Sequence, residues 1–227
     1  MDTLTIRDVS YTYKSKYQTV KALDGVSYTF ESGKFYAVVG RSGSGKTTLL
    51  SLMAGLDLPT SGAVLFGEKD TKSISRDSFR LNHVSVIYQS LNLLPLLTAI
   101  ENVMFPLEYR GMSKSKARKL AEEKLESVGI DKTMHKRLPA MLSGGEQQRV
   151  AIARALATNT EVILADEPTG NLDTENSQNI VELLKNLAIT ENVCVIVVTH
   201  DLAVADQADI VLKMSDGKIV GEGEMSA

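Results

Sequence analysis

Eight consecutive residues carry the clearest chemistry in this chain: Gly40-Arg41-Ser42-Gly43-Ser44-Gly45-Lys46-Thr47. Their spacing is that of a phosphate-binding loop. Glycines let a backbone turn its N–H groups inward around phosphate oxygens, and a helix opening directly behind points its positive end at the same anion. Lys46 would reach the β- and γ-phosphates and Thr47 would ligate Mg²⁺. Gly40, Ser42, Gly43, Ser44, Gly45 and Thr48 complete the expected phosphate contacts. A second element is the pair Asp166-Glu167, at the exit of the apolar run 162–165. Buried strands of a parallel sheet deliver such carboxylates to the carboxyl edge, where ligands bind. There Asp166 would hold the Mg²⁺ shell and Glu167 would orient and deprotonate the attacking water. A third is His200, in Val-Val-Thr-His-Asp, directly behind the apolar run 193–198. On the same edge it would hydrogen-bond a γ-phosphate; its plainer reading is a helix-start histidine beside the cap Asp201. His83 and His135 have no such placement and read as non-catalytic.

These groups need elements to hold them. The first 40 residues read as strands and turns, with turn signals at Asp24-Gly25 and Ser32-Gly33. Residues 35–39 form a continuous apolar run ending at Gly40, the pattern of a fully buried strand. A helix is expected from about Lys46 to Ala54, closed by Gly55. Residues 91–160 differ in texture. Ser113 is placed to cap a helix with apolar positions Ala117, Leu120, Ala121, Leu125 and Val128, closed by Gly129. Ser143 is placed to cap a second, through Val150, Ala151, Ala153, Arg154 and Ala157. The α/β alternation then resumes, which predicts a parallel sheet. Three segments follow: a nucleotide-binding α/β core of residues 1–90 and 161–227, and a mostly helical stretch of residues 91–160 between them.

Composition narrows the class. The chain has 227 residues, 43% hydrophobic and 23% charged, which suits one α/β domain. A net charge of −3 gives no bulk attraction to nucleic acid. One cysteine, Cys194, excludes an intrachain disulfide and reads as a small buried hydrophobe. The N-terminal residues lack a basic start followed by an apolar stretch, so no signal peptide is expected. No uncharged apolar run reaches the ~18–20 residues that span a bilayer.

Taken together with Leu142-Ser143-Gly144-Gly145-Glu146, these motifs resemble the ABC (ATP-binding cassette) ATPases, whose signature motif lies between the phosphate loop and the acidic strand, as here. Ser143, Gly144 and Gly145 open a helix and would form a second anion site. The resemblance implies a head-to-tail dimer in which each ATP lies between one copy's phosphate loop and the other's signature. The fifth signature position is Glu146, where the family more often has glutamine. The resemblance covers nearly the whole chain. It implies one nucleotide-binding domain of the P-loop NTPase (RecA-like) α/β class, with an N-terminal antiparallel β region and an inserted helical subdomain carrying the signature. It further assigns Gln89 to the Q-loop as a Mg²⁺ contact, Asn171-Leu172-Asp173 to the D-loop at the dimer interface, and Tyr13 to the adenine stack, with Tyr11 and Tyr17 close enough to compete.

Residues 93–103, with Ala165-Asp166-Glu167-Pro168-Thr169-Gly170-Asn171-Leu172-Asp173, are similar to one subgroup, the macrolide-exporter (MacB), lipoprotein-release (LolD), bacitracin-resistance and cell-division (FtsE) ATPases. That likeness implies a bacterial ATPase with ATP and Mg²⁺ as cofactors. Its partners would be a second, identical ABC subunit, a separate integral membrane permease at the cytoplasmic face, and an extracytoplasmic accessory protein. The apolar residues 91–106, next to Gln89, read either as an exposed dock for such a permease or as internal core. The rival is a soluble ABC ATPase of a cytosolic machine such as iron–sulfur assembly.

Overall fold

The computed structural model describes residues 4–224; Met1–Thr3, part of the stretch read against a signal peptide, lie outside it. In chain order the elements are β1 (Leu4–Lys14), β2 (Thr19–Phe30), β3 (Phe35–Val39), α1 (Lys46–Met53), β4 (Ser61–Phe66), β5 (Lys69–Asp70), α2 (Arg76–Asn82), β6 (Val84–Ile87), α3 (Ala99–Tyr109), α4 (Lys114–Ser127), α5 (Gly144–Ala157), β7 (Val162–Asp166), α6 (Thr174–Thr190), β8 (Cys194–Thr199), α7 (Leu202–Ala205), β9 (Ile210–Ser215) and β10 (Lys218–Glu224). They build two sheets. A six-stranded sheet has the order β10-β9-β3-β8-β7-β6, and a four-stranded one the order β2-β1-β4-β5. In the larger sheet β9, β3, β8, β7 and β6 pair in parallel, with β10 added antiparallel by a hairpin. All pairings of the smaller sheet are antiparallel.

Side-chain alternation along the central strands splits the core into two layers, because successive residues of a strand face opposite sides. Phe35, Ala37 and Val39 of β3, Ile163 and Ala165 of β7, and Val195 and Val197 of β8 face helices α3 to α7. Tyr36 and Val38, Val162 and Leu164, and Cys194, Ile196 and Val198 face α1 and the antiparallel sheet. A strand buried on both faces must be largely apolar, and before their last residues these three runs carry a single hydroxyl, that of Tyr36, which accepts from the Glu31 N–H at 2.9 Å. Burial pushes the Cys194 thiol far up, so it packs as a hydrophobe.

Asp24-Gly25 is not a turn. It lies inside β2, where Gly25 at φ 65° forms a bulge and donates its N–H to Ser10. A positive-φ glycine serves bulge and turn equally, so the dipeptide could not tell them apart. Ser32-Gly33 does turn the chain into β3. Ser113 precedes α4 without a side-chain cap bond, and Leu120 is only partly buried. Ser143 caps α5 through a full capping box with Glu146.

Residues 91–106 divide between internal core and exposed surface. Ile100, Val103 and Met104 are core, whereas Leu96 is 88% exposed and Phe105 52%. The exposed loop is fixed from beneath by Asn102, which is fully buried. Its Oδ1 accepts from the Leu94 N–H at 2.7 Å, and its Nδ2 reaches the carbonyls of Leu94, Leu97 and Thr98. Asn102→Ala removes these bonds and strands buried backbone groups. The expected loss is about 2–4 kcal/mol in urea unfolding, far more than at a surface asparagine.

Candidate active site

Parallel register brings the carboxyl ends of four strands to one edge. Val39 pairs with Thr199, Asp166 with Val198, and Ile87 with Ala165. The phosphate loop, the acidic pair, His200 and Gln89 each leave the sheet there. They line one cleft of about 720 Å³, together with Tyr13, Val20, Lys21 and Ala22 from the antiparallel sheet.

Two glycines have physical reasons to be glycine. Gly45 sits at φ 100°, and a Cβ there would lie 2.5 Å from the Ala22 carbonyl oxygen. At Gly40 a Cβ would meet the Met214 carbonyl at 2.4 Å. As N-cap, Gly45 gives α1 no capping side chain, and no acidic residue follows in the first turn. The positive helix end therefore opens onto the cleft without an internal anion. Lys46 is 7% exposed and lays its ammonium on the loop carbonyls of Gly40 (2.7 Å) and Arg41 (3.2 Å). The Ser44 hydroxyl is buried and has no protein partner. An uncapped helix end beside an orphaned hydroxyl and a lysine fits an anion such as a phosphate. Ser42, Gly43 and Thr47 complete the loop's rim. Thr48 is nearly buried and bonds the Tyr13 hydroxyl at 3.2 Å.

The three neighbouring tyrosines differ in placement. Tyr13 lines the cleft and is half exposed. Tyr11 turns its hydroxyl to Asp57, at 2.7 Å, which with burial pushes its pKa up to about 12. Tyr17 is 90% exposed and outside the cleft.

Asp166 ends β7. Burial, then the neighbouring Glu167 charge, hold its carboxyl above the usual aspartate range, and Lys46 partly offsets both. Glu167 follows at φ 46°, an uncommon value for a side chain of this size, with its N–H fixed to the Val198 carbonyl at 2.9 Å. Its Oε1 accepts from the His200 N–H (3.1 Å) and meets His200 Nδ1 (2.7 Å); its Oε2 accepts from Thr199 Oγ1 (3.0 Å). Thr199, and the wall of Val20, Lys21 and Ala22, were not foreseen from sequence; the only trace of Thr199 was its place before His200. Asp166, Thr47 and Gln89 together present carboxylate, hydroxyl and amide oxygens, the donors that Mg²⁺ prefers. Among the described residues no cluster of three His, Cys, Asp or Glu side chains stands ready for a metal. Such a donor set suits a cation that completes its shell with phosphate oxygens and water. His135 is buried against the Ile130 carbonyl, and His83 packs on Phe66 and lies 3.5 Å from Glu161, both away from the cleft.

Ser143, Gly144, Gly145 and Glu146 do not line this cleft. The capping box takes the N–H groups of Ser143 and Glu146. Gly144 and Gly145 keep amides outside the helix ladder, so the second anion site has fewer free donors than the sequence suggested. A Cβ on Gly145 would lie 2.8 Å from Asn176 Oδ1, and Gly144 lies against Leu172. Asp173 caps α6, and Asn171 donates to the Gln89 carbonyl at 3.3 Å. Residues 171–173 thus lie between the Gln89 turn and the signature.

Asp166 gives a sign-definite test. Its raised pKa means that burying the ionised carboxylate costs stability at neutral pH, and that cost fades as pH falls through the folded pKa. Asp166→Asn should therefore raise the melting temperature of the nucleotide-free protein in EDTA at pH 7 by roughly a degree or two, with a smaller gain at pH 5. Differential scanning calorimetry at both values checks it.

The family model described as "ABC transporter" matches residues 23–170. The chain is 44% identical to the lipoprotein-releasing system ATP-binding protein LolD of Saccharophagus degradans, covering 93% of this chain and 94% of that one. It is 42% identical to the macrolide export ATP-binding/permease protein MacB of Hyphomonas neptunium, covering 96% of this chain but 34% of that larger protein. Among solved structures it superposes on the dimeric post-hydrolysis state of the ATP-binding cassette MJ0796 bound to ADP and Pi. There the TM-score is 0.90 at 37% identity, with 99% of both chains covered. With its cleft geometry, these matches place the chain in the ABC transporter family, as an ATP-binding subunit.

Proposed function

We propose that this subunit hydrolyses ATP as a pair of identical copies and drives a separate membrane permease from the cytoplasmic face of a bacterial membrane. The observation that carries this reading is the meeting of phosphate loop, Asp166, Glu167, Gln89 and His200 in one cleft, with a second phosphate-type motif left outside it. A cleft with only half of the expected donors is completed by another copy's Ser143, Gly144, Gly145 and Glu146. The dimeric ADP- and Pi-bound state of MJ0796 supports the pairing.

The residues divide the work as follows. Tyr13 stacks on adenine, as its half-exposed ring at the cleft wall allows. The amides of residues 42–48 and the Lys46 ammonium hold the phosphates, Lys46 moving off the loop carbonyls to do so. Asp166, Thr47 and Gln89 would hold Mg²⁺, which neutralises charge on the phosphates. Glu167 accepts the proton of the attacking water, and His200 contacts the γ-phosphate. Asn171, Leu172 and Asp173 lie at the interface between copies, beside the signature. Residues 91–160 act as one helical unit that passes the motion to the permease through Leu96 and its neighbours.

Among the described residues no helix is long and apolar enough to cross a membrane. LolD and MacB, named for lipoprotein release and macrolide export, favour export or transmission of motion across the membrane over import. Two experiments test the reading. Glu167→Gln should cut ATP turnover roughly 10²- to 10⁴-fold while nucleotide binding persists; parental turnover would remove Glu167 from the base role. Purification of tagged protein from detergent-solubilised membranes should recover a stoichiometric permease, and an accessory protein where one exists. Recovery with soluble partners alone would reassign the ATPase to a cytosolic machine.

A further inference from the structure

Thr199 is the last residue of β8 and is fully buried. It pairs with Val39, the residue before the phosphate loop, so its backbone position is tied to that loop. Its hydroxyl has one proton and two lone pairs. The Asp201 N–H, at 3.0 Å, donates to that oxygen. The hydroxyl proton then points to Glu167 Oε2, also 3.0 Å away. Two fixed neighbours thus determine the direction of the bond.

We infer that Thr199 is a positioning residue for hydrolysis, holding the Glu167 carboxylate in line for the attacking water. This rests on Glu167 as the base. Glu167 needs an outside hold because its backbone, at φ 46°, leaves the sheet in an uncommon conformation. Three groups restrain its carboxylate: the Thr199 hydroxyl, the His200 N–H and the His200 imidazole. The imidazole is 72% exposed, whereas the Glu167 side chain is 16% exposed. When His200 turns to a γ-phosphate, that third restraint leaves. The backbone N–H and Thr199 remain, one on each carboxylate oxygen, and fix the plane of the carboxyl group.

The test measures kcat and KM for MgATP in Thr199→Val, Thr199→Ser and Thr199→Ala, beside Glu167→Gln. Valine keeps the shape and removes the hydroxyl; it should lower kcat about ten-fold, the factor for one lost hydrogen bond to a charged group, with KM within about two-fold. Serine should recover most of the turnover, and alanine should fall below serine by the same factor. The serine–alanine pair isolates the hydroxyl even where valine does not fold. Valine or alanine turning over as fast as serine, with Glu167→Gln inactive, overturns the inference. So does a loss that serine shares, which would trace to packing. Parental turnover in Glu167→Gln would instead remove the base itself, and Thr199 with it.

Discussion

Parallel pairing of β6, β7, β8 and β3 is the constraint on which the rest of this molecule depends. In a parallel sheet every strand enters at one edge and leaves at the other, so whatever follows each strand collects in one place. Here those followers are Gly40, Glu167, His200 and Gln89, from chain positions up to 160 residues apart. The register is held by burial on both faces, since a slip would carry core side chains across the sheet. The antiparallel sheet adds only the outer wall with Tyr13, and α3 to α5 carry groups that the cleft lacks.

The edge is also where the fold gives up stability. Glu167 takes a positive φ, Ser44 keeps a buried hydroxyl without a partner, and Asp166 places a carboxyl in surroundings that disfavour its charge. The strained backbone and the orphaned hydroxyl each cost roughly 1–3 kcal/mol where they stand alone. They persist because the apolar layers on either side of β3, β7 and β8 are continuous and rigid. The same edge is pinned by short local bonds, with Thr199 and Asp201 binding the start of α7 to the acidic pair.

Much of this was legible in the residues. Runs 35–39, 162–165 and 193–198 carry no charged or amide side chain, which marks strands buried on both faces, and the loop between glycines 40 and 45 follows the first of them directly. The capping box at Ser143 was legible as a helix start, though not the donors it would consume. Other features were hidden because one local signal serves several structures. Asp24-Gly25 reads as a turn and is a bulge. Asp216-Gly217, with both residues at positive φ, makes the hairpin between β9 and β10 and was passed over. Three tyrosines near position 13 are equivalent in one dimension; only strand twist and the partners Thr48 and Asp57 separate them. Thr199 is one β-branched residue in a β-branched strand, and its role exists only through Glu167, 32 positions away.

Hydrolysis as proposed requires a site shared between copies. Ser143 and Gly144 are exposed and lie off the cleft, beside residues 171–173, and in the proposed mechanism they serve a phosphate brought by another copy. Sedimentation of the slowed Glu167→Gln variant tests this most directly, with MgATP, with MgADP, and with Ser143→Arg added. A shared site gives a two-copy species with MgATP alone, which Ser143→Arg abolishes while MgATP still binds. A variant that stays monomeric at saturating MgATP, or that pairs as well with arginine at position 143, would contradict it.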